Sequence, residues 1–169
     1  MKKLSILFIL FFITDLFPLD LQFFREDLNF EIKDEYFYVD GIYYFRNLKD
    51  KEIKKILFYP FPVDTLYGEV DSIRAINVLS DSIDTIIRRN EKGAFFTLEI
   101  EPDTTVKYRI SYCQKLLGNK AEYILVTTQS WGRPFEQVNY TLTFPKELIL
   151  DSLSYMPDSL KDIGNKYIF

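Results

Sequence analysis

From residue 28 onward, the apolar side chains of this 169-residue chain recur at every second position, and few stretches have helical spacing. The clearest apolar series are Val106, Tyr108, Ile110 and Tyr112; Val138, Tyr140, Leu142 and Phe144; and Ala94, Phe96, Leu98 and Ile100. Alternation with period two is typical of strands that are buried on one face only. The sequence therefore predicts an all-β protein.

Turn-forming residues divide the chain into about nine or ten predicted strands. These strands are Leu28–Lys33, Tyr36–Asn47, Ile53–Tyr59, Ser72–Val78, Asp84–Arg89, Ala94–Glu101, Thr105–Cys113, Ala121–Gln129, Gln137–Phe144 and Glu147–Leu153. The pattern predicts hairpin loops at 90–93 and 117–119, and one helical turn at 157–164. Without helices to cross between parallel strands, an antiparallel sandwich or a barrel is expected.

Three residues have special backbone properties. Gly41 lies inside a predicted strand, where it marks either a tight turn or a bulge. Pro60 and Pro62 predict an edge strand or a strand exit, because proline cannot donate a hydrogen bond to a neighbouring strand.

The first residues have the pattern of an export signal. Lys2 and Lys3 precede residues 4–13, which are apolar except for Ser5. Ten residues rise only ~15 Å in a helix, about half of the ~30 Å hydrocarbon core of a bilayer. We therefore predict a signal peptide or N-terminal hydrophobic segment over residues 1–20 and one β-sandwich domain over residues 21–169. The expected location is the periplasm, the cell envelope or the secreted fraction, with membrane contact only through this segment if it is not cleaved.

The chain has no His and a single Cys, which excludes Ser-His-Asp and Cys-His catalytic systems, imidazole metal sites and internal disulfides. The net charge of −4 gives no reason to expect nucleic acid as a partner. Glu99 and Glu101 share a strand face and form the most enzyme-like pair, but their alternation with apolar residues is what a solvated face requires. The sequence predicts a non-enzyme with no catalytic residue and no cofactor.

Acidic residues in predicted loops are weighed as calcium ligands. The two groups are Asp81 with Asp84, and Asp64 with Glu69 and Asp71. Neither group has the spacing of a twelve-residue calcium loop. Solvation of the loops explains these acids, and no metal site is predicted.

The segment 129–134 is where Trp, Arg and turn-forming residues converge. Trp131 and Arg133 are the candidate binding residues, because Trp and Arg are typical anchors of binding surfaces. The alternative is structural, with Trp131 closing one end of a sandwich.

Three motifs are spaced along the chain: Val39-x-Gly41-x-Tyr43-x-Phe45-x-Asn47, Tyr59-Pro60-Phe61-Pro62, and Tyr123-x-x-x-Thr127-x-x-x-Trp131-x-x-Pro134 followed by an amphipathic strand that ends at Pro145. Over roughly residues 28–169, the chain resembles a loose group of exported bacterial β-sandwich proteins of unknown function. The resemblance implies an immunoglobulin-like sandwich and no known activity.

A small outer-membrane β-barrel is the alternative fold. The end of the chain, Asp162-x-Gly164-x-x-Tyr167-x-Phe169, resembles the terminal signal of such barrels, which finish on an aromatic residue. Pro60, Pro62 and the charged stretch 49–55 interrupt the apolar band that a barrel would need.

The sequence predicts an exported, non-enzymatic cell-envelope protein that acts as a structural or protein-interaction module, with another envelope protein as its partner. One mechanism is strand pairing through residues 166–169, an expected unfinished strand. The alternative function is a ligand- or glycan-binding module that uses the Trp131 loop.

Overall fold

A computed structural model describes residues 20–79, 84–125, 131 and 133–169, so the predictions for the N-terminal segment before Asp20 and for Asp81 lie outside the described residues. The strands are β1 (Leu21–Lys33), β2 (Tyr36–Asn47), β3 (Ile53–Pro60), β4 (Tyr67–Asn77), β5 (Ile86–Asn90), β6 (Gly93–Ile100), β7 (Thr105–Leu116), β8 (Gln137–Pro145), β9 (Lys161–Ile163) and β10 (Lys166–Ile168). None of these described residues forms a helix long and apolar enough to cross a membrane. The all-β prediction is confirmed.

The ten strands form two sheets. The large sheet has the order β4-β7-β2-β1-β8-β10-β9, and the small sheet has the order β3-β6-β5. In the described residues the large sheet ends at β4 and β9 and does not close on itself, which confirms an open sandwich rather than the alternative barrel. The strand exit predicted at the two prolines is also confirmed, because β3 is an edge strand that ends at Pro60.

The core lies between the two sheets. The ring of Tyr59 on the small sheet packs 5.9 Å from Tyr43 and 5.9 Å from Tyr112 on the large sheet, measured between centroids. Phe96 packs 5.8 Å from Tyr108 in the same way. Removal of this apolar surface from water is the main force that holds the sheets together. The two inward series predicted for residues 94–100 and 106–112 are buried throughout and are confirmed.

β1 is paired differently on its two sides. It is antiparallel to β2, and it is parallel to β8, whereas every other neighbouring pair of the described strands is antiparallel. On the outer face, the carboxylate of Asp27 accepts hydrogen bonds from Arg25 (2.8 Å), Tyr44 (2.7 Å) and Asn139 (2.6 Å). These donors come from β1, β2 and β8, so one carboxylate ties three adjacent strands together.

β1 begins seven residues before the predicted strand at Leu28. The register with β2 shifts between Phe23 and Arg25, which inserts an extra residue and reverses the inward and outward positions. Leu21 and Phe23 are therefore buried on the same side as Leu28 although their spacing to it is odd. This bulge hides the start of the strand from a search for period two.

Two predicted turns have different outcomes. The hairpin at 90–93 is confirmed, and its loop is two residues long because Asn90 pairs with Gly93. The Asn90 side chain accepts hydrogen bonds from the backbone N–H groups of Lys92 (2.9 Å) and Gly93 (3.1 Å). After the hairpin predicted at 117–119, residues 121–125 form no strand, and residues 126–129 of the predicted strand 121–129 lie outside the described residues.

The predictions for the C-terminal part need correction. Residues 147–153 form no strand, because β8 is already paired with β1 and β10 and the chain leaves the sheet after Pro145. The predicted helical turn at 157–164 is replaced by β9 and the turn that follows it. The segment expected to be unfinished is β10, which pairs with β8 on one side and β9 on the other, so it has no free edge to offer.

Gly41 forms neither of the two predicted features, since β2 continues through it in regular register with Leu28 and Ile110. A Cβ at this position would overlap the Leu28 side chain and would come within 2.7 Å of the Tyr43 ring. Glycine is required here because the Tyr43 ring lies over the backbone.

Substitution of this glycine tests the close approach. Gly41→Ala is expected to lower the unfolding free energy by about 1–3 kcal/mol, because the added methyl group must displace buried side chains. Gly118→Ala is the matched control: its nearest neighbour is a Leu66 side-chain carbon at 3.1 Å in an exposed loop, and we expect a change within about 0.5 kcal/mol. Urea unfolding of both variants measures the difference, and equal midpoints would contradict the packing described for Tyr43.

Candidate functional site

Trp131 is partly buried and packs against the core. Its ring centroid lies 5.7 Å from that of Phe23 and 5.7 Å from that of Phe45. Arg133 is exposed, and no ion pair joins it to another described residue. Residues 129, 130 and 132, which complete the predicted binding segment, lie outside the described part of the chain. The structure thus brings Trp131 to the end of the core and leaves Arg133 in solvent.

Truncation of Trp131 and of Arg133 tests whether each side chain supports the core or is free to contact a partner. Trp131→Ala is expected to lower the unfolding free energy by about 2 kcal/mol or more, because it removes ring contacts with Phe23 and Phe45. Arg133→Ala should change it by less than about 0.5 kcal/mol. Thermal unfolding followed by circular dichroism measures both values. A Trp131→Ala variant as stable as the wild type would show that the ring does not support the core.

The acidic residues considered for chemistry have local structural partners. Glu99 forms an ion pair with Lys54 across β3 and β6, and Glu101 is exposed beyond the end of β6. Asp84 accepts hydrogen bonds from the backbone of Ala75 and Ile86, both at 3.1 Å. Within the described ranges, no three acidic or cysteine side chains are grouped so that they could hold a metal ion.

One carboxyl group lies inside the sandwich. Glu26 is 1% exposed on the inner face of β1, directly opposite Tyr43 on β2 and Val138 on β8. Its side chain accepts a hydrogen bond from the hydroxyl group of Tyr140. Burial raises the pKa of Glu26, and the hydrogen bond from Tyr140 offsets part of this effect.

Buried tyrosines surround this carboxyl group. The Tyr43 hydroxyl lies 2.9 Å from that of Tyr59 and 2.8 Å from that of Tyr123. The Tyr112 hydroxyl is buried and has no hydrogen-bond partner among the described residues. Burial raises the pKa of all four phenols, so they are uncharged at neutral pH. Such a cluster supplies neutral hydrogen bonds across the core and contains no activated nucleophile.

The pKa of Glu26 has a measurable consequence for stability. A carboxyl group whose pKa is raised by folding stabilises the folded state fully below its unfolded value, here 4.5, and loses that contribution as pH rises through the folded value. Each unit of upward shift corresponds to ~1.4 kcal/mol of unfolding free energy. We therefore expect Glu26→Gln to gain stability relative to the wild type as pH rises above 4.5.

Unfolding in urea at pH 4, 5.5 and 7 measures this difference. Glu91→Gln is the matched control, because Glu91 is exposed in the loop between β5 and β6. A difference between the wild type and Glu26→Gln that stays constant over this range would show that Glu26 titrates normally.

The small sheet does not cover the whole inner face of the large sheet. On β8, Val138 and Tyr140 share the inner face with Glu26 and Leu28, yet both are exposed. Further along β8, Phe144 is buried, and its ring packs against that of Tyr167 on β10. The inner face therefore continues beyond the sandwich as far as β10.

The segment between β8 and β9 lies beside this uncovered face and carries an unusual number of exposed apolar side chains. We call them the C-terminal apolar surface: Leu148, Ile149, Leu150, Leu153, Tyr155, Met156 and Leu160. Ile149 is 95% exposed and Met156 is 91% exposed. Burial and Glu26 raise the pKa of Tyr140, and Tyr155 adds a smaller contribution, so Tyr155 lies near the exposed part of β8. Apolar side chains clustered in this way on a small domain are typical of a contact surface.

A groove of about 330 Å³ connects this surface to the sheet. Its lining residues are Phe144, Lys146, Leu148, Ile149, Leu150, Leu160, Tyr167 and Phe169. The rings of Phe144 and Phe169 are 5.5 Å apart at its base. The ammonium group of Lys146 forms an ion pair with Asp162 and lies 5.3 Å from the centre of the Tyr167 ring. The groove is open to solvent, most of its lining side chains are apolar, polar atoms supply nearly half of its lining surface, and its one charged side chain, that of Lys146, is already paired.

Sequence reasoning missed both the buried carboxyl group and the C-terminal apolar surface. Glu26 falls on the buried face of β1, together with Phe23 and Leu28, only when the extra residue inserted after Phe23 is counted. The run Leu148-Ile149-Leu150 was visible, but a run of apolar residues predicts a buried strand and gives no sign that the side chains are exposed.

No protein-family model matches the chain, and no curated protein matches it. Among solved structures, it is similar to a candidate nutrient-binding protein from Legionella pneumophila, with 14% identity and a TM-score of 0.49 over 89% of this chain and 62% of that one. It is also similar to an M1 zinc metallopeptidase from Deinococcus radiodurans, with 12% identity and a TM-score of 0.49 over 88% of this chain and 38% of that one. The chain thus spans less than two thirds of either structure. At these values, neither similarity says what this chain binds or catalyses.

Proposed function

We propose that this protein is an exported, non-enzymatic module of the cell envelope that binds another envelope protein through its C-terminal apolar surface. The exposure of that surface is the observation that supports the proposal. Ile149 and Met156 are almost fully exposed to solvent, so neither side chain gives the isolated chain any hydrophobic stabilisation. Covering them with a partner would remove this apolar area from water.

The position of the surface also supports binding. It lies beside strands β8 and β10, which are held in the large sheet by backbone pairing with β1 and with each other. The segment that carries the surface is anchored at both ends, by β8 and by β9, which limits the conformational freedom that it can lose on association. The export signal predicted at the N-terminus, with Lys2 and Lys3 before an apolar run, supports a partner in the periplasm or envelope.

The alternative, a ligand- or glycan-binding module built on the Trp131 loop, has less support. The Trp131 ring is engaged with Phe23 and Phe45 in the core, and Trp131 does not line the C-terminal groove. The distribution of acids does not favour an enzyme: Glu99 is paired with Lys54 on a solvated face, and Glu26 is enclosed among tyrosines.

Charged substitutions on the C-terminal apolar surface test the proposal. Ile149→Glu and Met156→Glu are expected to reduce capture of a partner from the organism's own envelope fraction by at least tenfold, because each places a charge in the contact. The unfolding free energy should change by less than about 0.5 kcal/mol, since both side chains are exposed. Quantitative mass spectrometry of proteins retained by the tagged full chain measures capture.

The matched control is Ile56→Glu. Ile56 is 62% exposed on β3 of the small sheet, whereas the C-terminal strands β8, β9 and β10 belong to the large sheet. Its substitution should leave capture unchanged. The same set of captured proteins for all three variants and the wild type would contradict the proposal. Loss of capture by Arg133→Ala alone would instead favour the Trp131 loop.

A further inference from the structure

The charged residues around the C-terminal groove indicate which kind of partner the groove binds. The segment 146–163 contains four acids, Glu147, Asp151, Asp158 and Asp162, and two lysines, Lys146 and Lys161. Lys146 and Asp162 pair with each other. Among the described residues, Glu147, Asp151 and Asp158 form no ion pair and are exposed. Lys161 is exposed as well and forms no ion pair with a described residue, so the segment beside the groove carries three free acids against one free lysine, an excess of two negative charges.

We infer that the groove binds a protein segment that inserts an apolar side chain between Phe144 and Leu160 and carries lysine or arginine on both sides of it. This inference rests on the proposed function and names the class of partner. An apolar anchor fits because the groove volume of about 330 Å³ is at the low end of the roughly 300–1,000 Å³ typical of ligand pockets. Basic flanks fit because they would lie against Glu147, Asp151 and Asp158 and would speed the encounter.

A second copy of this chain is a poorer occupant. A twofold contact through this surface would bring the acidic segments of two copies together, and like charges placed against each other at an interface cost several kcal/mol. An acidic partner meets the same difficulty. The charge pattern therefore selects a different protein with a basic segment.

The test uses the full chain and three fluorescein-labelled heptapeptides that share a central Leu-Phe-Leu. The flanking pairs are lysines in the first, serines in the second and glutamates in the third. Fluorescence anisotropy in 50 mM salt is expected to show binding of the lysine peptide at least tenfold tighter than of the serine peptide and no binding of the glutamate peptide. The preference should weaken as salt is raised, because surface charges are screened.

Two protein variants distinguish the contribution of the acidic residues to peptide binding from that of the groove. The neutralised variant carries Glu147→Gln, Asp151→Asn and Asp158→Asn, and we expect its affinity for the lysine peptide to fall by at least tenfold. Its matched control removes the same total charge from exposed positions elsewhere, with Asp50→Asn, Glu52→Gln and Glu91→Gln, and it should bind like the wild type. A second variant, Ile149→Ser with Leu160→Ser, should bind none of the peptides measurably.

Each of the following results would contradict the inference, and each would do so for a different reason. Equal binding of the lysine and serine peptides, lost with the serine double variant, would overturn the basic partner and leave the proposed interaction function standing. Equal loss in the neutralised variant and its control would show that the peptide binds through overall charge only. Self-association of the full chain that Ile149→Ser with Leu160→Ser abolishes would identify a second copy as the occupant. Binding of no peptide, together with capture that is insensitive to Ile149→Glu, would overturn both proposals.

Discussion

The pairing of β1 on both of its sides determines the rest of the structure. β1 pairs with β2 in the part of the large sheet that the small sheet covers. Its parallel pairing with β8 extends the large sheet beyond this covered part. The junction is held on the outer face by Asp27 and on the inner face by Glu26, which accepts a hydrogen bond from Tyr140. Without this pairing, β8 and β10 would have no attachment to the sandwich among the described strands.

The covered and uncovered parts of the sheet differ in chemistry. Between the sheets, the Tyr43 hydroxyl forms hydrogen bonds with those of Tyr59 and Tyr123. Buried polar groups arranged in this way specify one packing, since each depends on its neighbours. Beyond the cover, the apolar side chains from Leu148 to Leu160 have no comparable partners and face solvent. The same chain thus combines a buried core with an exposed apolar surface, and we assign binding to the latter.

Much of the fold could be predicted because burial on one face leaves a period-two pattern. The inward series in β6 and β7 and the bounds of β2 follow directly from it. The pattern fails where geometry interrupts it, as at the bulge after Phe23, or where apolar residues do not go inside, as from Leu148 to Leu150. The parallel pairing of β1 with β8 joins segments more than a hundred residues apart, and no local signal specifies it.

The candidate site was less predictable than the fold. Residue type marks Trp131 and Arg133 as candidates, but it does not show that the Trp131 ring packs on Phe23. The importance of Glu26 depends on which face of β1 it occupies, and the bulge decides that. Ile149 is exposed in the segment that leaves the sheet after Pro145, and the apolar run itself does not show where the strand ends.

Photo-crosslinking in living cells tests the central claim most directly. A photoreactive phenylalanine analogue placed at Met156 is predicted to form a discrete adduct with one other envelope protein, while the same analogue at Ile56 on the small sheet forms none. Adducts from Ile56 but not from Met156, or none from either position, would contradict the assignment of binding to the C-terminal apolar surface.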